Sequence, residues 1–240
     1  MKINVLFSPS VVDDLYFSEK IVVVIDVLRA SSTIIAALEN GAKEIVPVNT
    51  IEFAMKASGS MFGGQTLLGG ERNTKKIDGF NLGNSPLEYT AESIYGKSII
   101  LFTTNGSKAI VKTKYSKMTI ICSFSNVQPV AEYLAQNPSN SVEIVCSGRN
   151  NFFSIEDTVC AGKLIQEIQK RTPNCEISDG GLAALSLTKS YGKNLKKMMR
   201  ESEHGKILLE NGFEDDIAYC SRFNTSVIIP IYFSNVIKTL

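Results

Sequence analysis

Apolar residues along this chain come in short solid blocks, separated by polar turns and by stretches in which they recur at helical spacing. Residues 21–25, Ile-Val-Val-Val-Ile, are all β-branched, the mark of a strand buried on both faces as in a parallel sheet covered by helices. The block stops at Asp26. Arg29 follows, then Ser31, Ser32 and Thr33, hydroxyls able to cap a helix over 34–40 that Gly41 closes. Asp26 is thereby predicted in the crevice where a strand ends and a helix begins, the place where open α/β sheets bind ligands. A lone Asp there reads as a turn cap. With Arg29 and the hydroxyls beside it, the reading moves towards anion or metal chemistry.

The plan of apolar strand, polar turn and hydroxyl-capped helix recurs at 98–113 and 142–170, and further strands are predicted at 2–7, 44–48, 118–122 and 227–232. Pro47 points to a position near a sheet edge for 44–48. Helices are predicted at 51–57, at 85–95 with Ser85 as cap and Pro86 in the first turn, at 126–136, and two or three times within 178–222. Seven glycines between 59 and 83, with few periodic apolar positions, predict a long functional loop. Strands alternating with helices give an α/β fold, a three-layer α/β/α arrangement around a mostly parallel, mixed sheet. No Pro- or Ser-rich linker divides the chain, so residues 1–240 are expected to form one domain, or two lobes with the site between them.

Composition narrows the class. A hydrophobic content of 44% and a charged content of 20% describe a globular protein, and a net charge of +1 argues against a broad nucleic-acid-binding face. The five cysteines are odd in number and lack C-x-x-C spacing, which favours a reducing compartment over disulfides or a zinc site. No apolar run reaches membrane-spanning length and the first residues do not read as a signal peptide, so a cytoplasmic protein is expected. The strands at 44–48 and 226–232, as edge candidates, would allow a homodimer.

The candidate chemistry lies in the turns. Gly69-Gly70-Glu71-Arg72-Asn73 sets a carboxylate beside an arginine on a flexible backbone, suited to a metal and an oxyanion, or to a surface ion pair. Thr103-Thr104-Asn105-Gly106-Ser107 offers hydroxyls, an amide and backbone N–H groups at a helix start. Ser147-Gly148-Arg149-Asn150 combines a permissive glycine with a forked donor for phosphate or sulfonate, and Ser154 with Asp157 fits a capping box. His204, the only histidine, follows a basic amphipathic segment, and Gly205 after it suggests a helix's last turn. There is no G-x-G-x-x-G, Walker A lysine, G-x-S-x-G or H-E-x-x-H motif.

Taken together, these blocks resemble the 2-phosphosulfolactate phosphatase family: residues 25–33, 69–73, 79–86, 103–106, 147–150 with Glu156-Asp157, and Ser202-x-His204-Gly205. Thr74 and Asn151 stand where the resemblance leads one to expect glycine. The resemblance implies magnesium-dependent hydrolysis of 2-phospho-3-sulfolactate, a small anionic substrate, or of related 2-hydroxy acid phosphates. On that reading Asp26, Glu71 and Asp157 hold Mg²⁺, while Asp26, Arg29 and His204 are catalytic, His204 as the acid for the leaving group. Arg72, Asn73, Thr104, Asn105, Gly106, Ser147, Gly148, Arg149 and Asn150 would bind substrate. A non-catalytic sensor of a phosphorylated or sulfonated metabolite, or an isomerase or lyase acting on sugar phosphates, would use the same groups without releasing phosphate.

Overall fold

The block at 21–25 forms strand β2 (Ile21–Ile25), every residue of it buried, and its two sets of alternate side chains enter two different cores. Val23 and Ile25 pack with Val130 and Leu164 on one face; Val22 and Val24 pack with Ile34 and Ile110 on the other. Each such side chain contributes roughly 1.5–3 kcal/mol by leaving water. Helices therefore cover both faces, and the architecture is the expected three-layer α/β/α. The computed structural model describes residues 1–60 and 66–240, and for residues 58–60 the backbone only.

Among the described residues the other strands are β1 (Lys2–Leu6), β3 (Glu44–Val48), β4 (Thr66–Arg72), β5 (Lys75–Lys76), β6 (Ser98–Phe102), β7 (Met118–Cys122), β8 (Ser141–Cys146), β9 (Glu176–Ile177), β10 (Pro230–Phe233) and β11 (Val236–Thr239). Their order is β5-β4-β6-β3-β11-β10-β7-β2-β8-β1-β9. Two parallel blocks, β4-β6-β3 and β7-β2-β8-β1-β9, flank the antiparallel hairpin β10-β11. Three antiparallel contacts in a row reverse strand direction, so in a flat sheet the carboxyl ends of the two blocks would face opposite edges. The turns after β2 and β8 and those after β4 and β6 nonetheless line one cleft.

The helices are α1 (Ala30–Glu39), α2 (Ile51–Ser60), α3 (Ala91–Ile94), α4 (Gly106–Lys112), α5 (Val127–Gln136), α6 (Ile155–Arg171), α7 (Asp179–Tyr191), α8 (Leu195–Glu201), α9 (Glu203–Glu210) and α10 (Glu214–Cys220). No described helix is long and apolar enough to cross a membrane.

Several expectations need correction. The glycine-rich stretch is not one long loop: residues 66–72 form β4, paired along β6, and only its part at 61–65, with Gly63 and Gly64, lies outside the described residues. Glycine is required there because the strand runs flush against neighbours. A Cβ on Gly70, at φ +140, would strike the Phe102 carbonyl, and one on Gly69 would strike the Tyr89 hydroxyl. Pro47 does not mark an edge, since β3 lies between β6 and β11; its ladder to β11 is registered at Ile45 alone, which leaves room for a residue without an N–H. β10 is interior too, so the edge-strand argument for a dimer has no basis in this sheet. Residues 85–95 split into a 3-10 turn at Pro86–Glu88 and the short α3, although Ser85 does cap the turn, accepting from Leu87 N at 3.2 Å. Four helices, not two or three, fill the segment after residue 178. The last strand begins at Pro230 and is followed by β11, which the sequence pattern did not indicate.

Candidate active site

The turns that leave β2, β4, β6 and β8 meet over a small cleft of about 110 Å³ lined by Asp26, Arg29, Glu71, Asn73, Thr74, Asn84, Thr103, Thr104, Asn105, Arg149, Asn150 and His204, with Leu28 and Ile207 as apolar wall. Asp26 is 6% exposed. Its Oδ1 accepts from Ala30 N at 3.1 Å, so it does cap α1, while Oδ2 faces Gly106 closely enough that a Cβ there would lie 2.5 Å away. Burial first, and then the charges of Glu71 and Glu156, push the Asp26 carboxyl up to about 6 against the pull of Ser147 and Ala30 hydrogen bonds. The hydroxyls after Arg29 are not offered to a ligand. Ser31 Oγ accepts from Asp26 N, Ser32 Oγ donates to Val27 O, and Thr33 Oγ1 donates to Asn84 O.

Glu71 sits at the end of β4 and clamps two turns: Thr74 N donates to Oε2 and Thr104 N to Oε1, both at 2.8 Å. Asn105 Oδ1 accepts from Asn150 N at 3.0 Å, joining the β6 and β8 turns. Asn73, Thr74, Asn150 and Asn151 all have positive φ, so the two positions where glycine was expected do adopt the left-handed region.

Arg29 lines the cleft, but its guanidinium is engaged on both sides, with Asp216 at 2.6 Å and Thr74 O at 2.7 Å, and stacks on Phe213 at 4.2 Å. Arg149 is half-buried and paired with Glu203, whose side chain is solvent-exposed. Arg72 is not in the cleft. It is exposed and lines a neighbouring hollow with Asn73, Thr104 and Lys108.

Asp157 is buried behind the cleft rather than lining it. Its Oδ1 accepts from Val27 N at 2.9 Å, and Oδ2 accepts from Gly148 N at 3.2 Å and Ser147 Oγ at 3.3 Å. Only half of the expected capping box forms, Ser154 Oγ accepting from Asp157 N, because the aspartate side chain turns away to bind these loops. Burial, then the charges of Asp26 and Glu156, raise its pKa. Gly106, Ser147 and Gly148 likewise shape the floor instead of lining it; Gly148 takes φ +65 beneath the Phe152 carbonyl.

His204 is in the first turn of α9, not the last turn of a helix, because Ser202 breaks the basic segment and caps α9 through Gly205 N at 3.0 Å. Its Nδ1 lies 3.8 Å from Glu156 Oε1. Burial first, then the charges of Arg149 and Arg29, hold the imidazole down to about 3. The folded chain thus favours the neutral imidazole.

Residues 7–235 match the sequence pattern of the 2-phosphosulpholactate phosphatase family. A protein of Clostridium perfringens strain 13 is 39% identical over the whole of this chain and 97% of its own. One of Caldanaerobacter subterraneus subsp. tengcongensis is 39% identical over 95% of this chain and 94% of its own, and one of Thermotoga maritima 41% identical over 89% of each. All three carry the name probable 2-phosphosulfolactate phosphatase.

The chain belongs to the 2-phosphosulfolactate phosphatase family. Within this member, sequence reasoning placed Asp26, Arg29, Glu71, Asn73, Thr104, Asn105, Arg149, Asn150 and His204, and the fold brings these together. It named the Thr103 turn without singling out Thr103, gave no site role to Thr74 or Asn84, and missed the supporting Asp216. Asn84 had a signal, its place directly before the Ser85-Pro86 cap. Asp216 had none, since an acidic residue in a helix's first turn already has a sufficient local explanation.

Proposed function

We propose that this chain is a phosphoric monoester hydrolase that converts 2-phospho-3-sulfolactate to sulfolactate and phosphate. The observation that carries the reading is a single cleft in which the Asp26 and Glu71 carboxylates share walls with Arg149 and His204. Family membership and the relatives' names support the substrate.

Asp26 and Glu71 also fit Mg²⁺. Both carboxylates line the cleft, and each Glu71 oxygen, though it accepts from a backbone N–H, keeps a second lone pair for a cation. Among the described residues no group of three or more His, Cys, Asp or Glu could hold a metal ion, so the expected set of Asp26, Glu71 and Asp157 is not assembled and two carboxylates remain for it. When bound, the ion supplies charge neutralisation at the phosphoryl oxygens. Asp157, with both oxygens bonded to loop N–H groups, positions the β2 and β8 turns.

Arg149 receives the phosphate with its planar fork, exchanging Glu203 for the substrate. Asp26 is oriented by Ala30 N at Oδ1 and by the Ser147 hydrogen bond, and it acts on the phosphoryl group as nucleophile or as base for an attacking water. Burial, and after it the charges of Arg149 and Arg29, keep His204 neutral; a phosphate dianion beside Arg149 offsets the charges and adds an anion that favours the imidazolium, which would then deliver its proton to the leaving alkoxide. Unpaired cysteines, four of the five buried, suit a reducing compartment, and we place the enzyme in the cytoplasm.

Phosphate released from 2-phospho-3-sulfolactate is the test, with added Mg²⁺ and then with EDTA. Release that depends on Mg²⁺ and stops with EDTA is expected. No release in either condition contradicts the reading.

A further inference from the structure

Among the described residues, buried side-chain polar atoms without a hydrogen-bond partner are Thr66 Oγ1, Thr74 Oγ1, Asn84 Oδ1 and Thr104 Oγ1. Folded chains rarely leave such atoms unpaired, because each forfeits its hydration for nothing. Thr74, Asn84 and Thr104 all line the active-site cleft; Thr66 does not. Clustering of this kind points to a ligand that completes them.

Thr74 carries a second signal. Its φ is +70, a region that β-branched residues seldom occupy and that glycine would hold without strain. The backbone is fixed there from both sides, Thr74 N bonding Glu71 and Thr74 O accepting from Arg29. The chain thus tolerates both a strained backbone and an unpaired hydroxyl at one residue of the cleft wall. A function for that hydroxyl accounts for both.

Charge narrows the ligand. The guanidinium next to Thr74 is paired with Asp216, and the Glu71 carboxylate is held by the N–H groups of Thr74 and Thr104, so this end of the cleft offers hydroxyl and amide groups and, among the described residues, no free cation. A transferable phosphoryl group needs strong neutralisation, which the Arg149 end supplies. A carboxylate or sulfonate carries a single delocalised charge that neutral donors can hold.

We propose that Thr74 and Asn84 form the subsite for the substrate's second oxyanion, the carboxylate or sulfonate that is not transferred. The proposal rests on the phosphatase reading and adds a specificity determinant to it. Thr74 Oγ1 donates its proton to the oxyanion; at Asn84 the unpaired atom is the acceptor Oδ1, so this residue donates only with its amide turned by 180°, which sets N–H₂ where Oδ1 now stands.

Steady-state kinetics of phosphate release test it with wild type, Thr74→Val, Thr74→Gly, Asn84→Ala and, as control, Thr66→Val. The substrates are 2-phospho-3-sulfolactate, 2-phospholactate (no sulfonate) and 2-sulfoethyl phosphate (no carboxylate). On the full substrate the cleft variants should raise KM by about tenfold or more, the worth of a hydrogen bond to a charged group, with kcat within about threefold. Thr74→Gly should show the same KM loss while melting above Thr74→Val, which separates the hydroxyl from the strained backbone. The loss should shrink on whichever truncated substrate lacks the oxyanion held here, which tells carboxylate from sulfonate. Thr66→Val should keep its KM. Unchanged KM in all cleft variants overturns the proposal, as does an equal loss on all the substrates, which would assign these groups to the phosphate. A wild-type protein that releases no phosphate from any substrate removes the phosphatase reading itself and this subsite with it.

Discussion

Arg29 and Asp216, 187 residues apart in sequence, form a buried ion pair at 2.6 Å that holds one wall of the cleft. Asp216 also accepts from Ser85 Oγ at 2.6 Å, so a single carboxylate ties α10 to the β2 turn and to the segment after Asn84. Removing it would leave a guanidinium buried without a counter-charge. Asp216→Ala should destabilise the fold by about 3–5 kcal/mol in chemical denaturation. Asp216→Asn, which keeps the hydrogen-bonding shape, should lose less; equal stability of wild type and the alanine variant would show that the pair does not hold the wall.

Gly106 lets α4 approach the catalytic carboxylate. An alanine there would place its Cβ 2.5 Å from Asp26 Oδ2 and against Ala30. Gly106→Ala should lower kcat/KM by about 10²-fold, the scale of a misplacement near 1 Å. Activity close to wild type would mean that Oδ2 need not occupy its present place.

His204 links stability to pH. Its folded-state value of about 3 lies below the ordinary 6.5, so the folded chain favours neutral imidazole. That contribution is complete above pH 6.5 and is lost as pH falls towards 3, where the unfolded chain binds a proton and the folded one does not. The stability advantage of wild type over His204→Gln should therefore shrink between about pH 6.5 and pH 4, by up to about 1.4 kcal/mol per unit. A difference independent of pH would contradict the buried neutral state.

The same substitution reads the chemistry. His204→Gln should reduce kcat by about 10²–10⁴-fold, the usual worth of a proton donor to a poor leaving group. Near-normal turnover would take the proton transfer away from this residue.

The part of the site legible in the sequence was the part governed by local rules. A solid β-branched block ending at Asp26, the Ser85-Pro86 cap and the Gly148 turn each have neighbour-to-neighbour causes, and each is where the pattern placed it. β4 was hidden because its glycines answer to Phe102 and Tyr89, residues of other segments, and so composition alone reads them as loop. The interior place of β3 was hidden because Pro47 is tolerated by a gap in the ladder to β11 that only the sheet order reveals. Asp157 was expected at the metal on the family resemblance, with a cap from Ser154 as its local reading, whereas the side chain serves Val27 and Gly148. Arg72 followed Glu71 in sequence, but strand alternation sends the two side chains to opposite sides.

The central claim is that Asp26 acts on a phosphoryl group in this cleft. Phosphate release from 2-phospho-3-sulfolactate by wild type and by Asp26→Asn, measured side by side with Mg²⁺, tests it most directly. The asparagine keeps the side chain's size and can still accept from Ala30, yet should lower turnover by about 10³-fold or more. Turnover within a few-fold of wild type would contradict the account.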